Sequence, residues 1–230
     1  MHIFLDPEPD AARSFTERKR LFELPGCSWD NYDRELISTG GGIFSRSAKS
    51  IPLSPQVQQL IGSNETAMAP NKLIHHLLKS KVDLLWNGGI GTYIKASTES
   101  NLEAQDKSND SLRVNGGDLQ CKVVGEGGNL GCTQLGRVEF ASAGGKMYTD
   151  AIDNSAGVDC SDHEVNIKIL VDSLVANSIL PADKRTDLLA EMTDEVSSLV
   201  LRDNYLQTQC ISLTQANATT ALEELSLIHI

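Results

Sequence analysis

The sequence lacks any apolar run approaching the ~20 residues a membrane-spanning helix needs. No positively charged and apolar leader opens it, so no secretory signal is expected. Cysteine is sparse and unpaired in pattern: Cys27, Cys121, Cys132, Cys160 and Cys210 contain no C-x-x-C spacing, and their number is odd. That argues against a disulfide framework and against a thiolate zinc site, and it fits a reducing, cytoplasmic setting. Basic charge is also short, with 20 Lys and Arg against 31 Asp and Glu, a net charge of -11. An acidic surface disfavours nucleic acid and anionic membranes as partners. It still permits a phosphate-bearing cofactor, because backbone N–H groups at a helix start bind phosphate locally.

What is present describes a globular chain of 230 residues, 40% hydrophobic and 22% charged. That length suits one large domain, or one domain with a helical appendage. "HIFL" reads as a buried parallel strand ending at Asp6 and Pro7. Residues 10–24 read as a helix stopped by Pro25 and Gly26. "SWDNYDRELIS" reads as a short helix or turn, and "SRSAKSIPLSP" as a polar connection. Pro70 opens a helix whose stripe is Leu73, Ile74, Leu77 and Leu78. "KVDLLWN", "CKVVG" and "KMYTD" supply three more strands, with a polar excursion over residues 97–120. Two apolar stripes follow, one over Ile167, Leu170, Val171, Leu174 and Val175, the other running from Leu188 to Val200. Strands alternating with helices predict an α/β fold with a doubly wound parallel sheet, followed by C-terminal helices. The chain opens directly on a strand and closes on apolar "LSLIHI", and both ends read as cuts in a longer polypeptide.

Several residues are candidates for chemistry. "GEGGNLG" places Gly125, Gly127 and Gly131 in a G-x-G-x-x-x-G spacing after a strand. The dinucleotide fingerprint needs a glycine where Leu130 stands, and an acidic residue about 20 positions on, for which Asp150 and Asp153 are near enough. The alternative is a glycine-rich turn that needs positive φ. Asp6, at the tip of an early strand, is placed either to hold an adenosine ribose or merely to turn the chain before Pro7. Ser161 and Glu164 have the S-x-x-E spacing of a helix capping box. Ser161 could instead bind a substrate carboxylate. His75, His76 and His163 lack metal spacing apart from the local "DHE", and surface roles are expected for them. Nothing adjacent in sequence marks Lys49 or Lys95 as a catalytic amine.

The strings "HIFLDPEPDAARSFTERKRLFELP", "GGGIFSRSAKSIPLS", "VDLLWNGGIGTYIKAS", "KVVGEGGNLG", "TDAIDNSAGVDCSDHEVNIKIL" and "LLAEMTDEVSSLVLRDNYLQTQ" resemble the large bacterial NAD-specific glutamate dehydrogenases, up to about Gln209. The resemblance implies a Rossmann-like sheet truncated at its N-terminus. Residues 1–160 would form a partial NAD-binding domain without its first strand and glycine turn, residues 161–210 a helical segment, and 211–230 a poorly matched tail. Asp6 would then contact the ribose diol and favour NAD over NADP, since a carboxylate repels a 2′-phosphate. "GEGGN" looks like the family's later loop of form A-E-G-A-N, beside the nicotinamide ribose. "TDAIDNSAGV" resembles P-D-x-x-x-N-A-G-G-V at Asp150, Asn154, Gly157 and Val158, with Ser155 and Ala156 departing from it.

By these matches the cofactor wall comprises Asp6, Asn87, Gly88, Gly89, Gly125, Glu126, Gly127, Asn129 and Asn154. Ser161 would bind the side-chain carboxylate of the substrate, although Cys160 stands where the family has valine. The family's catalytic lysine and aspartate have no matching segment here and would lie upstream, and no metal is implied. The implied reaction interconverts L-glutamate with 2-oxoglutarate and ammonium in a homo-oligomeric parent. The isolated chain would be inactive. The alternatives are a non-catalytic nucleotide-binding or interaction module, and a related amino-acid dehydrogenase.

Overall fold

The computed structural model describes residues 1–227. The end of the apolar tail, residues 228–230, lies outside the described residues. The chain divides into two compact units: residues 1–125 with 130–147, and residues 126–129 with 148–230. The first mixes strands and helices, and the described strands pair two by two.

In the first unit β1 (His2–Leu5) pairs with β2 (Gly42–Ser45), Ile3 opposite Phe44 and Leu5 opposite Gly42. The pair is antiparallel, not the parallel strand expected for "HIFL". Only two apolar residues mark β2, so the sequence pattern hides it in a polar connection. Successive side chains of a strand point to opposite faces, and both faces of β1 are covered. Ile3 and Leu5 join a core with Ile51, Leu53, Val57 and Leu73. Phe4 packs on the other side with Leu21, Tyr32 and Ile43, and stacks on Trp29 with ring centroids 4.6 Å apart.

The helix covering that second side is α1 (Ala11–Glu23), whose N-cap Asp10 accepts a hydrogen bond from the Arg13 N–H. Capping satisfies one of the backbone donors that a helix start leaves free. The first core is closed by β3 (Ile51–Pro52), α2 (Pro55–Ile61), β4 (Ala67–Met68) and α3 (Pro70–Leu78). Proline stands at the start of both helices, where its missing N–H costs nothing.

The third core lies around β6 (Ile94–Lys95), β7 (Val114–Asn115) and β8 (Val123–Glu126). It gathers Ile94, Val114, Cys121, Val124, Cys132 and Phe140. β6 and β7 are parallel. β5 (Leu84–Asn87) pairs with β8, but Leu84 and Trp86 are more than half exposed, so it is not buried on both faces as its apolar run suggests. "KMYTD" forms no strand: only Lys146 bridges, in parallel, to Val123. α4 (Gln134–Ser142) sits on β6 through two glycines. A Cβ on Gly136 would meet the Lys95 carbonyl carbon at 2.8 Å, and one on Gly116 would meet the Gly136 carbonyl oxygen at 2.4 Å.

The second unit is helical: α5 (Asp150–Asp153), α6 (Ser155–Ala176), α7 (Arg185–Glu191), α8 (Thr193–Ala216) and α9 (Leu222–Leu227). α6 and α8 pack against each other, and Val171 and Val200 are their buried apolar residues. The stripe expected as one helix from Leu188 to Val200 is divided between α7 and α8 at Met192. Among the described residues no helix is long and apolar enough to cross a membrane.

The Gly116 contact is with backbone, which cannot rotate away. Gly116→Ala is therefore expected to cost about 2 kcal/mol, the scale of overpacking a tight core. Chemical denaturation of the chain checks this, and a loss under about 0.5 kcal/mol would contradict it.

Candidate functional site

The residues singled out from the sequence fall in both units. Asp6, Asn87, Gly88, Gly89 and Gly125 belong to the first, and Glu126, Gly127, Asn129, Asn154 and Ser161 to the second.

Asp6 follows the last residue of β1. Its Oδ1 accepts the Ser38 N–H at 2.9 Å. Its Oδ2 is buried and has no hydrogen-bond partner. A carboxylate held by one oxygen and unsatisfied at the other suits a hydroxyl donor, because a buried acceptor without a donor is costly. Asn87 closes β5 in the same condition: its amide Nδ2 is buried and unpartnered. Asn87 and Gly89 line a cleft of about 240 Å³ together with Arg46, Tyr93 and Gly131. One spare acceptor and one spare donor at strand ends fit the polar groups of a nucleotide, and in this respect the first unit accommodates the implied cofactor.

The exit of the glycine loop is held more firmly than its sequence suggests. Leu130, standing where the fingerprint wants glycine, has φ 60, the left-handed region that a leucine rarely adopts. None of Gly125, Gly127, Gly128 and Gly131 has positive φ. The turn therefore does not need its glycines for left-handed backbone, and the one residue in that region is the leucine.

Thr92 supports it by donating its hydroxyl to the Leu130 carbonyl at 2.7 Å. The N–H groups of Tyr93 and Ile94 both donate to the Gly131 carbonyl, at 2.9 and 3.1 Å. Thr92 is itself held on two sides. Its N–H donates to Asp106 Oδ2 at 2.8 Å, and its carbonyl accepts from Arg113 Nε at 2.9 Å. The Arg113 side chain is completely buried. It also donates to Asp110 Oδ1 at 2.6 Å, Asn101 Oδ1 at 3.0 Å and the Asp106 carbonyl.

The Ser108 hydroxyl and the Asn109 amide, with the Thr92 N–H, lower the Asp106 carboxyl from 3.8 to about 2. Glu139 on α4 accepts from the Ser97 and Gly117 N–H groups at 2.6 and 2.7 Å, and these bonds, Ser97 first, hold its carboxyl below the ordinary range. None of these residues was a sequence candidate. Their signal is only a polar excursion, and the pairings span up to 42 positions.

In the second unit the loop is tied to the helices. The Glu126 N–H donates to Asp153 Oδ2 at 2.9 Å. Asp153, read from the sequence as a candidate ribose acid, thus returns to the loop itself. Asn154 Nδ2 donates to Asn129 Oδ1 at 3.0 Å, so two candidate residues 25 positions apart are brought together. Asn154 is also the N-cap residue of α6. Ser161 lies inside α6, one and a half turns beyond its start, and donates its hydroxyl to the Gly157 carbonyl at 3.3 Å. The helix begins six residues before Ser161, so the capping-box reading of Ser161 and Glu164 is overturned. Exposed, with one lone-pair bearing oxygen unused as acceptor in any described bond, Ser161 is available to a ligand.

Comparison with known proteins identifies the family. A family model described as "Bacterial NAD-glutamate dehydrogenase, catalytic domain" matches residues 1–214. Proteins named NAD-specific glutamate dehydrogenase are similar along nearly the whole chain. The one from Halomonas elongata is 59% identical over 94% of the chain and 13% of its own length. Those from Mycobacterium tuberculosis and Pseudomonas aeruginosa are both 58% identical, over 96% and 97% of the chain and 14% of their own lengths. The chain thus spans about one-seventh of the relatives it matches.

Asp106 generates a test by acid. Its folded pKa lies below its unfolded value, so its contribution is present above about pH 4 and is lost as pH falls towards about 2. Asp106→Asn should cost up to about 2 kcal/mol near neutrality, with the difference from the parent chain shrinking as pH falls through that window. Denaturation midpoints at a series of pH values would show it. A pH-independent difference would contradict it.

Proposed function

The chain belongs to the bacterial NAD-glutamate dehydrogenase family, and from that premise we propose that it forms the cofactor wall of an enzyme interconverting L-glutamate with 2-oxoglutarate and ammonium. In this reading the first unit is part of a Rossmann-like, doubly wound NAD-binding domain covering residues 1–160. Residues 161–210 form the helical segment that follows it.

The observation that carries the cofactor assignment is the pair of buried, unpartnered atoms at two strand ends, Asp6 Oδ2 and Asn87 Nδ2. Asp6 takes a ribose hydroxyl as acceptor, and its charge turns away a 2′-phosphate. Asn87, Gly88 and Gly89 face the same cofactor from β5. Gly125, Glu126, Gly127 and Asn129 present backbone at close approach. Asn154, oriented by its bond to Asn129, directs an amide towards the nicotinamide end. NAD, when bound, accepts or returns the hydride at glutamate Cα. Polarising the keto group and moving protons fall to groups outside this chain, so the chain alone is expected not to turn over glutamate. The parent is proposed to be a cytoplasmic homo-oligomer, without nucleic acid or membrane partners.

Ser161 is proposed to hold the substrate's side-chain carboxylate through its hydroxyl. Because it lies inside α6 and caps nothing, removing the hydroxyl should leave stability nearly unchanged. In the full-length protein, Ser161→Ala should raise KM for glutamate about tenfold, as the loss of one hydrogen bond to a charged group implies, with KM for NAD unchanged. A Tm decrease with an unaltered KM would refute the assignment. Activity with another amino acid in preference to glutamate would favour a related dehydrogenase, and NAD binding without turnover a non-catalytic module.

A further inference from the structure

In the second unit α6 and α8 bring together three side chains that the sequence separates. Asp159 and His163 stand four residues apart on α6, so they share one face of the helix. Asp203 reaches the same point from α8, forty residues further along the chain. His163 Nε2 lies 3.5 Å from Asp159 Oδ1 and 3.9 Å from Asp203 Oδ2. One donor atom from each of the three lies within 4.8 Å of the others. All three residues are half-buried. The "DHE" string around His163 gives no metal spacing by itself, because the third ligand comes from another helix.

A second observation singles out this cluster. The other Asp159 oxygen, Oδ2, is buried and without a hydrogen-bond partner. A carboxylate oxygen shut from water with no donor is costly unless something positive satisfies it. Two carboxylates converging on one imidazole also leave negative charge in excess. The neighbouring polar contacts are by contrast complete in kind. Asn204, next to Asp203, donates to the Ile152 carbonyl at 2.8 Å and to Ser155 Oγ at 2.9 Å.

We propose that Asp159, His163 and Asp203 form a divalent cation site that joins α6 to α8. One imidazole nitrogen with two carboxylates is a donor set suited to zinc, with a fourth position left for water. The role is structural. A bound ion would fix α6 against α8 beside Ser161, which lies two residues from both Asp159 and His163, and Asn204 fixes the start of the same helix at Ser155. The ion's ligands are not placed in the catalytic or cofactor machinery, and the inference does not depend on the glutamate reading.

The test uses the full 230-residue chain, stripped with chelator and titrated with Zn²⁺ alone. Calorimetry should give one ion per chain, and the Tm should rise on binding and return with chelator, since a ligand that binds only the folded state stabilises it. Asp203→Asn, a change of nearly equal shape, and His163→Gln should each weaken Zn²⁺ binding by more than about tenfold, the scale that even outer partners of a metal command. Circular dichroism should report unchanged helix in both. Should His163→Gln fail to fold, Asp203→Asn decides the matter alone. Cobalt replacement should give a spectrum without a thiolate-to-metal band, which separates this site from the five free cysteines. The proposal is overturned by a Tm indifferent to Zn²⁺, by binding that survives either substitution, or by a thiolate band.

Discussion

The buried guanidinium of Arg113 is the constraint on which the candidate site rests. A completely buried arginine is tolerable only when its donors are met, and here four acceptors converge on it: Thr92, Asn101, Asp106 and Asp110. Three of them lie in the polar excursion before Arg113, and the fourth stands two residues before β6. The arginine therefore folds residues 97–113 back on the strand. Thr92 transmits that order, because its carbonyl faces Arg113, its N–H faces Asp106 and its hydroxyl holds the Leu130 carbonyl. The clamp is one of the supports of a leucine at φ 60. The glycine loop thus leaves the sheet where an arginine seventeen residues earlier puts it.

The same arrangement explains why the loop departs from the dinucleotide fingerprint. A first-turn loop uses its third glycine for close packing of helix on strand. Here that packing is done outside the loop, by Gly136 against Lys95 and by Gly116 against Gly136. α4 then begins at Thr133, which caps the helix and also reaches Glu99. The glycines of the loop itself are thereby free of that packing role.

Legibility from sequence followed the range of the interactions. α1 and α3 are local patterns of apolar spacing and breakers, and they stand where those patterns put them, whereas α6 starts six residues before its expected cap and the stripe from Leu188 to Val200 is split between α7 and α8. β2 and β7 are short strands whose partners are distant, and no local pattern marks them. "KMYTD" has strand-like residues but finds only a single bridge, because pairing is decided by the neighbour and not by propensity. Asn154 and Asn129 were both marked as candidates, yet their contact crosses 25 positions. Thr92, Asp106 and Arg113 were invisible for a different reason: polar residues in a glycine-punctuated stretch read as solvated loop, and only the fold shows Thr92 and Arg113 buried and Asp106 bonded to them. The resemblance to glutamate dehydrogenases offered site candidates that periodicity could not, because a family pattern carries the result of such long-range packing.

The strand end at Asp6 is proposed to hold the ribose of NAD. Cofactor discrimination in the full-length protein tests it most directly, by comparing kcat/KM for NAD with that for NADP in the parent and in Asp6→Ser. The preference for NAD should fall by at least about tenfold, the worth of one charge-assisted hydrogen bond and one removed repulsion. A preference left unchanged by the substitution would contradict it.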